Sequence, residues 1–493
     1  MRGDRLFQFI SCALIALGIS FAFSHLTTLG LSWDEYLDWR IVDTLARTHD
    51  VFANLSDPSQ GRFAHLIAAC SFACFGFSYA AFKVPFVLIG CVGGGLVFIA
   101  FKRRFSFAIA LALTAYYFTN PYVLGSMRTA ATAGDVLVLV LSLAFVLSLD
   151  RWITSRDFWR AGVVCAVVCG AAVGAKWTNG LCVPLALTAF VLTRREAWGE
   201  LAKDALCFLL LAGLTALATN PTFLLGYKFV LGALAHAHGY DHGTRLYLGS
   251  FVASPQWYFV PAVFVAKYGV LFLLVLVVAV SWAVRYRRRA PTIVWVSLAT
   301  LAFVVPFALK SFQSAYYYIF TVAPCLVLAG WFLHQSAPWK RGLTAWMFLA
   351  ATIVQAGQSF AVAPDFLHAG AEYGAVFEGE FWGPAVNHCQ GGPALLEKAA
   401  LVEASAPIYT LTDCAEILSF DAVHGPLRSR AHIADYPAVA PKGPFLLAVH
   451  RVYFVGGDSA AAREQRFSRF GAISNACSEV SEPNQPYRLF RCP

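Results

Sequence analysis

Residues 6–29 read LFQFISCALIALGISFAFSHLTTL, and Gly30, Leu31, Ser32, Trp33, Asp34 and Glu35 follow at once. A bilayer core is crossed by about 20 apolar residues, so this run is long enough to span one. Its sharp end against a Trp and two acids is what a membrane–water boundary looks like in sequence. The start, with Arg2 and Arg5, has the charge of a signal peptide, but the apolar run is too long for one and no small-x-small cleavage site closes it. It reads as an uncleaved first span.

Similar runs recur along the chain. Of the 493 residues 58% are hydrophobic and 13% charged, with a mean hydropathy of +0.62, a balance that a water-soluble fold of this length could hardly hide in its core. Aromatic residues reach 15%, which fits Phe-rich spans with Trp and Tyr near their ends. Spans are expected near residues 6–29, 84–101, 106–119, 132–149, 161–175, 178–193, 205–219, 257–282, 291–309, 316–333 and 342–361, about eleven in all.

The net charge of +9 is gathered in short loops: Arg2 and Arg5; Lys102, Arg103 and Arg104; Arg151, Arg156 and Arg160; Arg194 and Arg195; Arg285, Arg287, Arg288 and Arg289; Lys340 and Arg341. Such loops mark the cytoplasmic side. Separated by spans, they form no single solvated basic surface, which argues against nucleic acid as a partner. With the cations inside, the Asp34 loop and residues 128–135 and 236–258 emerge outside. The apolar stretch 63–79 would invert every later loop if counted as a span, so it is expected to lie along the interface.

The predicted fold class is therefore an all-α polytopic membrane domain over residues 1–361, with outer loops 30–83 and 220–256, followed by an extracytoplasmic α+β domain over 362–493. In that tail the hydropathy falls, and runs such as 444–449 and 452–455 read as strands. Nine of the 13 Cys lie in apolar segments, while Cys389, Cys414, Cys477 and Cys492 fall in the tail, where three disulfide pairings are open. There is no internal repeat, and no pair of broken helices of the inverted-repeat transporter kind is visible.

Charged and polar groups crowd the outer rim rather than the span centres. Asp34 and Glu35 sit at the membrane surface, a costly place for bare charge. On a helix Asp34 and Asp38 share a face at i and i+4, where mutual repulsion raises the proton affinity of one and makes it a candidate general base. The alternative is an acidic loop that is merely solvated. Asp135 opens the fourth span, preceded by Arg128; the two suit catalysis and phosphate binding, or a structural ion pair or helix cap. Lys176, in Gly174-Ala175-Lys176-Trp177-Thr178-Asn179-Gly180, meets a phosphate or snorkels. A later loop carries His236, His238, Tyr240, Asp241, His242, Arg245 and Tyr247. Histidine and aspartate at that density can hold a divalent metal, although the spacing matches no closed zinc pattern, and polar substrate contact is the other reading. Lys267 and Lys310 add cations near the outer halves of later spans, to bind substrate or to snorkel.

This arrangement resembles the GT-C superfamily of membrane glycosyltransferases, particularly the bacterial relatives of protein O-mannosyltransferases and of the lipid A aminoarabinose transferase. The resemblance covers about the first 360 residues, and fold alone does not fix function. It is carried by Trp33-Asp34-Glu35 after the first span, residues 128–135 at the fourth, Lys176 in its Gly-Ala-Lys-Trp-Thr-Asn-Gly turn, and the run from His242 through Tyr247-Leu248-Gly249 to Pro255-Gln256-Trp257-Tyr258. Tyr316, Tyr317 and Tyr318 stand before Pro324 where the family often has Arg, and only Gly61-Arg62-Phe63-Ala64-His65 occupies the place of the mannosyltransferases' His-Pro-Pro pattern. A mannose donor and a protein acceptor therefore do not follow.

What the resemblance implies is a sugar donor on a polyprenyl phosphate and a lipid, glycan or protein acceptor, met at the outer face of the inner membrane. Arg128, Lys176 and Arg62 or Lys310 would neutralise the leaving phosphate, with His65, His238, Tyr240, His242, Tyr247 and Lys267 as further substrate contacts. Asp34 would be the base, with Glu35 orienting substrate or sharing the proton and Asp135 as a second acid. Two rival readings are a transporter or flippase for an anionic lipid-linked sugar, which calls for ionisable groups along a mid-span path, and a membrane anchor for an outer domain, which needs far fewer spans.

Overall fold

The computed structural model describes residues 2–24, 26, 31, 33–52, 62–128, 135–155, 157–193, 198–226, 245–247, 250–252, 259–302, 304, 319–335, 338–361, 389, 391–411, 414–424, 432–437, 441–450, 453, 460–481 and 487–493. Helix α1 (Arg2–Phe23) is followed by two shorter helices, α2 (Trp33–Thr48) and α3 (Phe63–Phe75). Ser78 caps α4 (Tyr79–Arg104) by accepting from the Ala81 amide, and the helix closes on Lys102, Arg103 and Arg104, cations placed where the helix dipole favours them. Ser106 caps α5 (Phe107–Thr119) in the same way through Ile109. Next come α6 (Pro121–Arg128), α7 (Asp135–Ser155), a single π turn at Phe158–Gly162, α8 (Val163–Ala175), α9 (Cys182–Thr193) and α10 (Trp198–Thr219). A hairpin of β1 (Arg245–Tyr247) and β2 (Ser250–Val252) precedes α11 (Phe259–Tyr268), α12 (Val270–Arg285), α13 (Thr292–Ala302), α14 (Val322–Gln335) and α15 (Pro338–Ala361).

Among the described residues five helices are individually long and apolar enough to cross a membrane, α5 with α6 makes a sixth if the pair, bent by 57°, is one span, and six further apolar helices are shorter. One of the shorter ones is α3, of 13 residues. It packs between α2 and α4 at one end of the bundle.

Two helices are broken where the sequence was read as continuous or simply ending. Asn120 precedes Pro121, and a residue before proline is pushed out of the α region; its backbone is extended there. Asn120 repairs the break itself: Oδ1 accepts from the Tyr122 and Val123 amides at 2.9 and 3.3 Å, and Nδ2 donates to the Lys267 carbonyl at 3.0 Å and to Tyr116 Oη at 3.2 Å. Backbone groups freed at membrane depth need such internal partners. Gly269, at φ +80°, separates α11 from α12.

The bundle is drawn together by small residues, as membrane helices require. A Cβ on Gly170 of α8 would lie 2.3 Å from the Ala212 carbonyl of α10. Trp152 fills the space beside them, stacked on Phe190 and Phe208. The two ends of the bundle differ in chemistry. At one, beside the basic loops, Arg104 pairs with Asp150 at 2.5 Å; at the other lie the acids of α2 and α7.

The tail is a separate α+β unit: α16 (Gly392–Glu403), β3 (Ile408–Thr410), α17 (Ala415–His424), β4 (Ile433–Asp435), β5 (Phe445–His450), α18 (Ala460–Ser474), β6 (Ser478–Glu479) and β7 (Tyr487–Cys492). The sheet order is β4-β3-β5-β7-β6, with β3 parallel to β4 and β5 and β7 antiparallel to β5 and β6. All six residues of β5 are buried, as befits a central strand covered on both faces. Of the three pairings open in the sequence, the chain adopts Cys389–Cys414 and Cys477–Cys492.

Candidate functional site at the acidic end of the bundle

Helix α2 is amphipathic in an unusual sense. Its inward face, Glu35, Tyr36, Asp38, Trp39 and Val42, follows helical spacing but carries two carboxyls among the rings, while Arg40, Asp43 and Arg47 look outward. Each buried carboxyl has a partner. Glu35 Oε1 lies 3.2 Å from Lys83 Nζ, with both side chains 0% exposed. Asp38 Oδ1 lies 2.7 Å from His65 Nε2, again fully enclosed. Arg62, at the start of α3, is buried beside Asp38; burial holds its guanidinium below the usual arginine range, and the charges of Asp38 and Asp50 pull it partly back.

A second cluster stands on α6, α7 and α8. Asp135 begins α7, where the N-terminal end of a helix favours an anion, and Lys176 Nζ donates to its Oδ1 at 3.0 Å. Lys176 sits at the C-terminal cap of α8, in extended backbone. Arg128 closes α6 and reaches back to the end of α1, where Nη1 donates to the Phe21 carbonyl at 2.9 Å and to Ser24 Oγ at 3.4 Å. Lys267 is buried at the end of α11, its carbonyl taken by Asn120.

The C-terminal unit is part of this end. From α17, Glu416 accepts from the Tyr36 hydroxyl and lies 3.5 Å from Arg40; burial first, and Glu416 second, push the Tyr36 phenol up to about 12. Phe420 packs edge-on against Tyr36 and Trp39, in a cluster that also holds Phe72, Tyr79 and Phe82. Asp421 accepts from the Tyr79 hydroxyl. Burial pushes its carboxyl up to about 7, against the pull of Tyr79, Lys83 and the Leu31 amide and with the push of Glu35.

Glu35, Arg62, His65, Arg128, Asp135 and Lys176 are thus all brought to one end, and they arrive paired or enclosed rather than spread on a rim. The backbone of Asp34 lies in the first turn of α2, directly before Glu35, while its side chain, like that of Tyr247 in the hairpin, lies outside the described residues. So do His238, Tyr240, His242 and Lys310 altogether. Asp38 pairs with His65, while the Asp34–Asp38 repulsion expected from their spacing involves a side chain outside the described residues. Among the described residues no group of three His, Cys, Asp or Glu is placed to hold a metal ion, so the metal reading of the histidine loop rests on residues outside that set.

Sequence reading missed Lys83, Tyr79 and Asp421. One signal was present for each charge: Lys83 is a lone cation opening the apolar run of α4, and Asp421 is a lone acid in Ile417-Leu418-Ser419-Phe420-Asp421-Ala422-Val423. An isolated charge in apolar surroundings implies a partner. A buried arrangement of this kind can hold an anion against its cations and tune a neighbouring carboxylate as a proton acceptor.

No family model matches the chain, and no curated protein does so. Among solved structures it is similar to ArnT from Cupriavidus metallidurans, over 97% of both chains, bound to undecaprenyl phosphate (15% identity, TM-score 0.51) and in the apo state (17% identity, TM-score 0.53). At such identities the likeness is one of fold, and the fold agrees with the class expected from the sequence: a polytopic helical domain with a C-terminal α+β domain.

Proposed function

We propose, on the premise of a fold shared along its whole length with ArnT, that this chain is an inverting glycosyltransferase. It moves a sugar from a polyprenyl phosphate to an acceptor hydroxyl of a lipid, polysaccharide or protein at the outer face of the inner membrane. The observation that carries the reading is the gathering of Glu35–Lys83, Asp38–His65, Arg62, Arg128 and Asp135–Lys176 at the bundle end away from the basic loops. The undecaprenyl phosphate named with ArnT fits a site of that charge.

In this mechanism the lipid tail stays among the spans with its phosphate at headgroup level. Asp34 takes the proton of the acceptor hydroxyl, the freed oxygen attacks the anomeric carbon, and the bond from that carbon to the phosphate oxygen breaks with its electron pair going to the phosphate. Attack in line with departure inverts the anomeric centre. Phosphate leaves without protonation, so the requirement is for cations, supplied by Arg128, Arg62 and Lys176 as it departs. Glu35, held by Lys83, fixes the first turn of α2 on which Asp34 stands.

The test is incubation of the purified chain with a panel of radiolabelled undecaprenyl-phosphate sugars and extracts of envelope acceptors, with release of free undecaprenyl phosphate as the readout. Asp34→Asn is expected to lower turnover by about a hundred- to ten-thousandfold, or roughly 3–5 kcal/mol of barrier, without unfolding the chain. Wild-type rates in that variant would end the assignment. Label that crosses vesicle membranes unchanged would favour the transporter instead.

A further inference from the structure

The tripeptide Thr-Asn-Pro closes two helices, at residues 119–121 after α5 and 219–221 after α10. In both, the threonine hydroxyl donates to a carbonyl one turn back, from Thr119 to Ala115 at 2.9 Å and from Thr219 to Thr215 at 2.8 Å. The asparagines then differ. Asn120 commits its whole amide to the scaffold. Asn220 caps no amide of the turn that follows, Pro221–Leu225. Its Oδ1 accepts from the Thr222 hydroxyl at 2.6 Å, while its Nδ2 has no hydrogen-bond partner among the described residues, although the side chain is buried. Turning the amide over only exchanges which atom is unmatched, since the Thr222 hydroxyl serves one of them at a time. A buried polar group left in that condition is costly and rare, and calls for a reason.

Its position supplies one. A Cβ on Gly170 of α8 would meet Ala212 and Thr215 of α10, and one on Gly174 would lie 1.9 Å from Thr219 Oγ1. Contacts that advance together along both helices mean that α8 and α10 run parallel, in touch, and finish at the same end. Lys176 stands two residues past Gly174 and Asn220 one past Thr219, so the unmatched amide is set at the bundle end that holds the Asp135–Lys176 pair. An amide carries no charge to offset a phosphate; in the proposed reaction that falls to Lys176, Arg128 and Arg62. What it matches is a hydroxyl, which both donates and accepts and so satisfies either amide atom. In a lipid-linked donor the hydroxyls belong to the sugar, which is joined directly to the phosphate. We propose that Asn220 reads the donor sugar, its amide hydrogen-bonding a sugar hydroxyl beside the Asp135–Lys176 pair. The inference rests on the transferase reading and adds to it a specificity-determining contact.

The experiment uses full-length chains in nanodiscs, without acceptor, and two lipids: the undecaprenyl-phosphate sugar that the wild type turns over, and undecaprenyl phosphate alone. The variant is Asn220→Leu with Thr222→Val, which removes both ends of the Asn220–Thr222 bond. It is expected to weaken binding of the glycosylated lipid by about ten- to a hundredfold and to leave that of undecaprenyl phosphate unchanged. Thr222→Val alone should bind both lipids as wild type does. Thermal unfolding of the ligand-free chain needs no turnover. The double variant should unfold at or above the wild-type midpoint, because it loses an amide that the free fold leaves unmatched. Asn120→Leu, which loses four bonds, should unfold well below it. Equal weakening for both lipids, the same loss in Thr222→Val alone, or a double variant as unstable as Asn120→Leu would each overturn the proposal. If wild type turns over no donor, the transferase reading fails and the sugar contact falls with it. If wild type turns over a donor that the double variant binds normally, the sugar contact alone falls.

Discussion

Lys83 and Glu35 are both wholly enclosed, 3.2 Å apart, and neither would be tolerated there alone. Removing one member of a buried pair leaves a charge without compensation, at a cost of about 3–5 kcal/mol, whereas replacing both by neutral groups can be nearly free. Lys83→Met should therefore lower the thermal midpoint in detergent strongly, and Lys83→Met with Glu35→Gln should recover most of the loss; a double variant no better than the single would refute the pairing. Asp421 makes the opposite kind of prediction. Its carboxyl titrates near 7 in the fold against 3.8 for the free group, so between those values the folded chain keeps a proton that the unfolded chain has lost. Stability then falls as pH rises through that window, by up to about 1.4 kcal/mol per pH unit, and levels off above it. Asp421→Asn removes that slope, so its thermal midpoint should gain on wild type as buffers move from about pH 5 to about pH 8. Parallel curves would show that the carboxyl is not held this way.

At the scale of elements, helix contacts are set by what is missing from them. Gly170 allows α8 to touch the backbone of α10, and Gly170→Val should cost about 1–3 kcal/mol through overpacking. Gly95→Ala, on a face of α4 with nothing within 4 Å, should be neutral or slightly stabilising because alanine is the better helix former. Equal effects of the two in thermal unfolding would contradict the packing described. The apolar helices themselves were legible as hydrophobic runs, since burial in lipid leaves hydropathy as the whole signal. The breaks were less so. Asn120-Pro121 read as the end of a span because what lets the chain continue is the Asn120 side chain, bonded to Tyr116, Tyr122 and Val123 beside it and to the Lys267 carbonyl of α11, and hydropathy shows none of these. Helix α2 was legible as an acidic segment, but not as a buried one, because its partners lie on α3, α4 and α17.

For the whole molecule, the α+β nature of the tail was legible from falling hydropathy, while the disulfide pairing and the docking face were not. The Cys389–Cys414 and Cys477–Cys492 bonds close segments of 25 and 15 residues in separation, and such bonds contribute about 2–4 kcal/mol each. Replacing Cys389 and Cys414 by Ala should lower the unfolding midpoint of the tail, and protease cleavage should then reach α17 while the bundle survives; an unchanged cleavage pattern would mean that the bond does not hold the docking helix. The bond lies beside the feature with the widest reach. Tyr79 and Asp421 are 342 positions apart, and a chain made from its N-terminus buries its early spans long before its end exists. A ribosome must finish nearly the entire polypeptide before the Tyr79–Asp421 bond can form, so half-made copies lack that joint between the two domains. The joint is thereby dated by a helix near the far end of the chain.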